Sequence, residues 1–391
     1  MQEWLLGATA PVRTLGEVLG PHGWIVVVSF VVSAIATPLV RGLALRLKIV
    51  DNPDGFLKPH ARPIAYAGGV AVYAGWVAGM ALLAAYGSRP IGWGWMVGVA
   101  VAGGVVMLVG LADDCFNIKP VLKLTGQAAA AGVLLAFGIG RDVAQIFFKP
   151  LGIVAPEWLV LALSIGGTVF VVVAACNATN LLDGMDGLCG GVTGIISLMF
   201  LILATHLAMY GYNQPHDPVR VVATLAMAGA VCGFLPYNYT PATIFLGDAG
   251  SMLLGLFAAG MMLMFAERGI IRWVLGALMI FGLPILDTSL ALVRRIYLRH
   301  PIFGGDRSHL YDQLVDRGFS VKQTVAISYG LSIFYGLVGA GTILLRTRYA
   351  LPIYAFVAGG TVYLCHRWGF LKPPTEACLE RAARPDNSIS M

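Results

Sequence analysis

Charge is scarce in this 391-residue chain: 12% of its residues are Asp, Glu, Lys or Arg, while 58% are hydrophobic. Soluble globular chains carry about 25% charged and 45–50% apolar residues. The shortage excludes a soluble enzyme, a disordered chain and a nucleic-acid-binding module. Cysteine is sparse as well. Cys115, Cys176, Cys189, Cys232, Cys365 and Cys378 form no Cys-x-x-Cys pair, and most lie in or beside apolar runs. Cysteines in such surroundings behave as small hydrophobes, so neither disulfides nor a zinc site are expected. No apolar core precedes Trp24, which argues against a cleavable signal peptide. No internal repeat is visible.

What the chain has in abundance is long apolar stretches. Crossing about 30 Å of hydrocarbon takes about 20 apolar residues in a helix. Eleven candidates meet or approach this: Trp24–Val40, Gly68–Tyr86, Ile91–Leu111, Leu124–Gly140, Trp158–Ala175, Gly190–Tyr210, Val219–Leu235, Ser251–Phe265, Trp273–Leu292, Thr324–Leu345 and Tyr349–Leu364. They show no two-residue alternation, so helices rather than a barrel are expected. The fold class is an all-α polytopic bundle of about 10–11 transmembrane helices. Residues 1–366 form the membrane domain and 367–391 a short polar tail.

Loop charge orients the bundle. With eleven spans, the odd-numbered loops and the C-terminus hold 17 of the 26 basic residues. The positive-inside rule makes that side cytoplasmic and leaves the N-terminus outside. Twelve of the 14 aspartates share it; only Asp142 and Asp217 fall opposite. Topology does not require acid on the basic side, but a metal-dependent site for an anionic substrate does.

Four of these loops carry the chemistry. In the third, GLADDCFNIKPVLK, Asp113 and Asp114 end one apolar helix and Lys123 opens the next. Adjacent carboxylates repel unless a cation or donor stands between them. In the fifth, NATNLLDGMDGLCGG, the side chains of Asn177, Asn180, Asp183 and Asp186 recur every third residue. Such a row shares a drifting helix face, and its oxygens can take a hard cation or recognise a nucleoside. In the seventh, TIFLGDAGS, Asp248 stands where an apolar helix begins, as an N-cap would. The same helix start offers free N–H groups to phosphate. The ninth, the longest cytoplasmic segment, contains Arg294, Arg295, Arg299, Arg307 and His309 around Pro301 and Gly304-Gly305. That composition suits a topology determinant or a hinged loop closing on substrate. The first loop adds Asp51, Lys58, His60 and Arg62, while His206, His216 and His366 stand apart and read as structural. An oxygen-only donor set favours Mg²⁺, with Mn²⁺ as the alternative.

Taken in order, these loops resemble one family, the polyprenyl-phosphate N-acetylhexosamine-1-phosphate transferases. It includes bacterial enzymes that load GlcNAc-1-phosphate or phospho-MurNAc-pentapeptide onto undecaprenyl phosphate. The resemblance runs from Asp51 to Gly318 and is strongest in GLADD, NATNLLDGMDGLCGG and TIFLGDAGS. It implies a multi-pass inner-membrane enzyme with a cytoplasmic-face active site, starting cell-envelope polysaccharide synthesis. A phosphate oxygen of polyprenyl phosphate would attack the β-phosphorus of a UDP-N-acetylhexosamine, GlcNAc foremost, and release UMP. By the same resemblance Asp248 and Asn180 hold Mg²⁺, and Asp113 and Asp114 serve the lipid phosphate in catalysis with Asp248. Lys123 lies near the diphosphate and Asp186 near the nucleobase. Lys58, Asn177, Asp183, Arg307 and His309 complete the substrate contacts. The implied partners are both substrates and the bilayer, with no nucleic acid, and a homodimer is compatible.

One departure concerns the sugar. Relatives acting on UDP-GlcNAc carry a His-x-His-His run in the ninth loop, where this chain has His309-Leu310-Tyr311-Asp312. A muramoyl-pentapeptide donor or a modified hexosamine therefore stays open. A transporter would place its carboxylates in broken helices at the membrane midplane, yet only Asp287 lies inside a span. A CDP-alcohol phosphotransferase would continue Asp183-Gly184 differently.

Overall fold

The structure, a computed structural model, describes residues 13–51, 63–86, 92–210, 216–267, 269–297, 299 and 309–370. It is an all-α membrane protein. Its helices are α1 (Leu15–Leu19), α2 (Trp24–Leu47), α3 (Gly68–Tyr86), α4 (Trp93–Phe116), α5 (Pro120–Ala136) and the short α6 (Gln145–Phe148). They continue with α7 (Glu157–Leu182), α8 (Leu188–Met209), α9 (Asp217–Asn238), α10 (Gly247–Ala266) and α11 (Ile271–Ile280). The last four are α12 (Gly282–Tyr297), α13 (Leu310–Asp316), α14 (Val321–Ile343) and α15 (Thr347–Arg367). A two-residue hairpin pairs β1 (Val50–Asp51) with β2 (Ile64–Ala65) antiparallel, Val50 opposite Ala65.

Among the described residues helix covers most of each of the eleven apolar stretches. Seven helices among these residues are long and apolar enough to cross a membrane, and the α11–α12 pair would be an eighth. Apolar helices at Gly68–Leu82 and Pro120–Ala136 are shorter, and α15 carries Arg348, His366 and Arg367 near its ends. The sequence reads one straight span over Trp273–Leu292; the structure bends there by 73° between α11 and α12. Pro284 explains the bend, because it lacks an N–H and its ring clashes with the carbonyl four residues back.

The centre of the bundle is α10. Its apolar 18-residue stretch is wholly buried, against 22% for that of the outermost helices, Leu15–Leu47. It packs against α3, α4, α7, α8 and α11. Lipid is as apolar as leucine, so membrane helices associate through small residues and polar contacts. Both occur on α10. A methyl group on Gly255 would meet the Cys176 backbone of α7 at 2.5 Å. Thr179 Oγ1 donates to the Ser251 carbonyl at 2.8 Å, fixing α7 against α10 one turn inside the polar end. At the opposite end His216 stacks on Trp95 with centroids 3.7 Å apart, in keeping with a structural histidine.

Candidate active site

The ends of α4, α5, α7 and α10 meet at one pole of the bundle. α4 stops at Asn117, whose left-handed φ of 48° Asn tolerates better than most residues. Pro120, pre-set for a first helical turn, then starts α5. This tight reversal sets the last turn of α4, with Asp113 and Asp114, beside the first turn of α5, with Lys123. The Lys123 ammonium bridges Asp113 Oδ2 at 2.5 Å and Asp248 Oδ2 at 2.6 Å. Asn180, at the end of α7, donates Nδ2 to Asp248 Oδ1 at 2.8 Å and to Ser251 Oγ at 3.0 Å.

Asp114 does something different. Its two oxygens accept the backbone N–H groups of Asp248 (2.8 Å) and Ala249 (3.2 Å). The start of α10 has no side-chain cap of its own, so a carboxylate from another helix supplies it. Glycine makes this approach workable. A methyl on Gly110 would collide with the backbone of Asp248 and Ala249, and one on Gly247 (φ +71°) would meet Asp114 Oδ2 at 2.6 Å.

Loops one, five and seven brace the pole. Phe245 N–H donates to the Ala65 carbonyl at 2.8 Å, and Gly68 and Gly69 donate to the carbonyls of Phe245 and Leu246. Asp186 Oδ2 accepts from Ala242 N–H at 2.9 Å. Asn238 accepts from Gly187 N–H and donates to the Ile244 carbonyl, tying the fifth loop to the seventh. Between these parts opens a cleft of about 470 Å³, lined by Val50, Asp51, Tyr66, Asp113, Asp114, Asn117 and Asp248. Burial, a hydrogen bond to Asp51 and the nearby carboxylates of Asp51, Asp114 and Asp248 push the Tyr66 phenol up, so it remains a proton donor. Desolvation and the charges of Asp248, Asp114 and Asp186 push Asp183 well above the usual carboxylate range.

The return from the ninth loop reaches the same neighbourhood. His309 Nδ1 lies 2.8 Å from Asp287 Oδ2. Tyr311 Oη donates to the Leu181 carbonyl at 3.1 Å and sits against Gly184.

Asp113, Asp114, Lys123, Asn180, Asp183, Asp186 and Asp248 are thus gathered as the sequence suggests. Lys58 and Arg307 lie outside the described residues. Two readings change. Asp248 is not the N-cap of α10: it lies in the first turn, and the N–H groups expected to face phosphate are taken by Asp114. Asn177 sits a turn further inside, its amide committed to Gln127 Oε1 (2.9 Å) and the Val173 carbonyl. Sequence reasoning missed Tyr66 and Asn117 in the lining of the cleft, and Tyr311 and Asp287 as the residues that seat the return from the ninth loop. Asp287 alone gave a signal, as a carboxylate inside an apolar span.

Among the described residues no three carboxylate, histidine or cysteine side chains form a finished metal cage. The donor set nevertheless suits a hard cation. An ammonium already stands between Asp113 and Asp248, and Asp113 Oδ1 is buried without a hydrogen-bond partner. With Asn180 turned toward Asp248 through its nitrogen, its amide oxygen is the atom left for a further ligand. Oxygen donors of this kind select Mg²⁺ or Mn²⁺ over softer-site metals.

A bundle of apolar helices whose carboxylates and an ammonium converge at a helix-end cleft defines a class: a membrane protein with a polar site at one end of its helices. Comparison with known proteins narrows it. Residues 96–266, from α4 through α10, match the family model described as glycosyl transferase family 4. The chain is 33% identical over 352 residues to a decaprenyl-phosphate N-acetylglucosaminephosphotransferase of Mycobacterium tuberculosis, covering 86% of this chain and 83% of that one. It is 29% identical to a probable undecaprenyl-phosphate N-acetylglucosaminyl 1-phosphate transferase of Bacillus subtilis, over 80% and 83% of the two chains. An Escherichia coli undecaprenyl-phosphate alpha-N-acetylglucosaminyl 1-phosphate transferase is 29% identical over 73% and 74%. The chain belongs to the polyprenyl-phosphate N-acetylhexosamine-1-phosphate transferase family and is a transferase.

Proposed function

We propose that this protein transfers N-acetylhexosamine-1-phosphate, GlcNAc-1-phosphate first among candidates, from a UDP-sugar to polyprenyl phosphate at the cytoplasmic face of the inner membrane. The observation that carries the reading is the meeting of Asp113, Lys123, Asn180 and Asp248 from four helix ends beside one cleft. An isoprenoid tail stays in hydrocarbon while its phosphate meets a water-soluble nucleotide sugar, so such a site belongs where helices end.

The reaction exchanges one phosphoanhydride for another. A lipid phosphate oxygen bonds to the β-phosphorus, and the bond from that phosphorus to the UMP oxygen breaks. Bringing an anion to a diphosphate is the obstacle, so positioning and charge neutralisation do most of the catalysis. The lipid phosphate is largely ionised already, its second pKa being about 6, and needs little from a general base. Lys123 is the cation that can move from the carboxylates to phosphate oxygens. Asp113, with a free oxygen, orients the nucleophile and accepts its last proton. Asp114, occupied by the backbone of α10, holds Asp248 in place. Asp248, Asp113 and the Asn180 oxygen would hold Mg²⁺, which when bound supplies further positive charge to the diphosphate oxygens. Tyr66 can donate a hydrogen bond to phosphate in the cleft.

Purified protein with Mg²⁺, polyprenyl phosphate and a panel of UDP-sugars, followed by UMP release, tests the reading. UMP release that depends on the lipid, strongest with UDP-GlcNAc, is expected. No UMP from any sugar would refute it. His309-Leu310-Tyr311-Asp312 is the reason the panel includes modified hexosamines and a muramoyl-pentapeptide donor.

A further inference from the structure

Among the carboxylates, Asp287 has no part in the acidic pole. It lies in α12 just beyond the Pro284 bend and is fully buried, where an unpaired charge would be costly. Its partners are specific. Oδ1 accepts the Leu310 N–H at 2.6 Å and Oδ2 meets His309 Nδ1 at 2.8 Å. His309 precedes α13 without capping it, so Asp287 caps that helix from a neighbouring one, as Asp114 does for α10. His309 is 5% exposed, and its ring lies parallel to Tyr311, 6° apart with centroids at 5.4 Å. Tyr311 in turn reaches the Leu181 carbonyl, two residues before Asp183.

We propose that Asp287 is a positioning residue for the sugar-nucleotide side of this site, acting through His309. The inference rests on the transferase reading above. A carboxylate only accepts, so Asp287 keeps a proton on His309 Nδ1 and leaves Nε2 as the atom free to meet substrate. One carboxylate sets both the ring tautomer and the backbone that carries the ring. Imidazole and α13 therefore move as a unit, seated by Tyr311 on the end of α7. In a segment whose other positions are Leu310, Tyr311 and Asp312, this is the single imidazole to be aimed. The lipid phosphate side, built on Asp113, Asp114 and Lys123, shares no hydrogen bond with this unit among the described residues.

The test is a double-mutant cycle of Asp287→Asn and His309→Gln in the purified protein, with KM and kcat measured for each substrate and melting measured in detergent. Asp287→Asn still accepts the Leu310 N–H but no longer offers His309 a charged acceptor. A hydrogen bond to a charged group is worth roughly 10- to 100-fold, so each single variant should lower kcat/KM for the UDP-sugar by that much. KM for polyprenyl phosphate should stay unchanged, and the double variant should be no slower than His309→Gln alone. Should Asp287→Asn not survive purification, Asp287→Glu, which displaces the ring and keeps the charge, enters the same cycle with the same non-additive result expected. Multiplicative losses, equal changes in both KM values, or a wild-type-like Asp287→Asn would overturn the inference while an active wild type leaves the transferase reading standing. A wild type releasing no UMP would overturn both.

Discussion

Lys123→Met removes the cation between two carboxylates and keeps the volume of the stem. Both oxygens lie within hydrogen-bond reach of one nitrogen, which puts them no more than about 5 Å apart. Two unit charges at that separation repel by about 3 kcal/mol at an effective dielectric near 20. The three side chains are 11–24% exposed, so solvent screens part of this and about 1–3 kcal/mol should appear as lost stability. The measurement is melting of the detergent-solubilised protein, with UMP release recorded alongside. Lys123→Met should melt earlier and lose at least about 100-fold in turnover, the scale of removing one oriented charge at a reacting phosphoryl group. Adding Asp113→Asn removes one of the repelling charges and gives Asp248 a neutral donor. The double variant should therefore regain stability without regaining turnover. A Lys123→Met protein as stable as wild type, or one that Asp113→Asn destabilises further, would show that the ammonium does not hold this pair together.

Three further outcomes are expected. Gly110→Ala drives a methyl into the backbone of Asp248 and Ala249; it should cost about 1–3 kcal/mol by overpacking and slow UMP release, and an unaffected variant would show that α4 and α10 separate freely. Chelation by EDTA should stop turnover and added Mg²⁺ should restore it, with Mn²⁺ a weaker substitute; full activity in chelator would remove the metal from the proposal. Burial alone would lower the pKa of His309, but Asp287 overrides it and the net shift is upward. The His309–Asp287 pair therefore stabilises the fold fully below about pH 6.5, the unfolded value, and loses that contribution as pH rises through the higher folded value. Melting across pH 6 to 9 should show that loss in the wild type and not in His309→Gln; identical profiles would refute it.

The class of protein was legible in composition, because a chain this short of charge has no folded solution in water but a simple one in lipid. Helix positions followed for the same reason, since an apolar run in hydrocarbon has to satisfy its own backbone. Asp113, Lys123, Asn180 and Asp248 were also readable, as polar groups stranded at the ends of apolar runs. Their partners were not. That Asp114 caps α10, that Asn177 bonds Gln127, and that Asp287 holds His309 are contacts across 22 to 135 positions of sequence, and no periodicity encodes them. The bend at Pro284 was hidden by hydropathy, which counts apolar residues without regard to direction. A one-dimensional pattern sets how much of each helix prefers lipid; which carboxylate meets which N–H is decided when glycines such as Gly110 let separate helix ends close to contact.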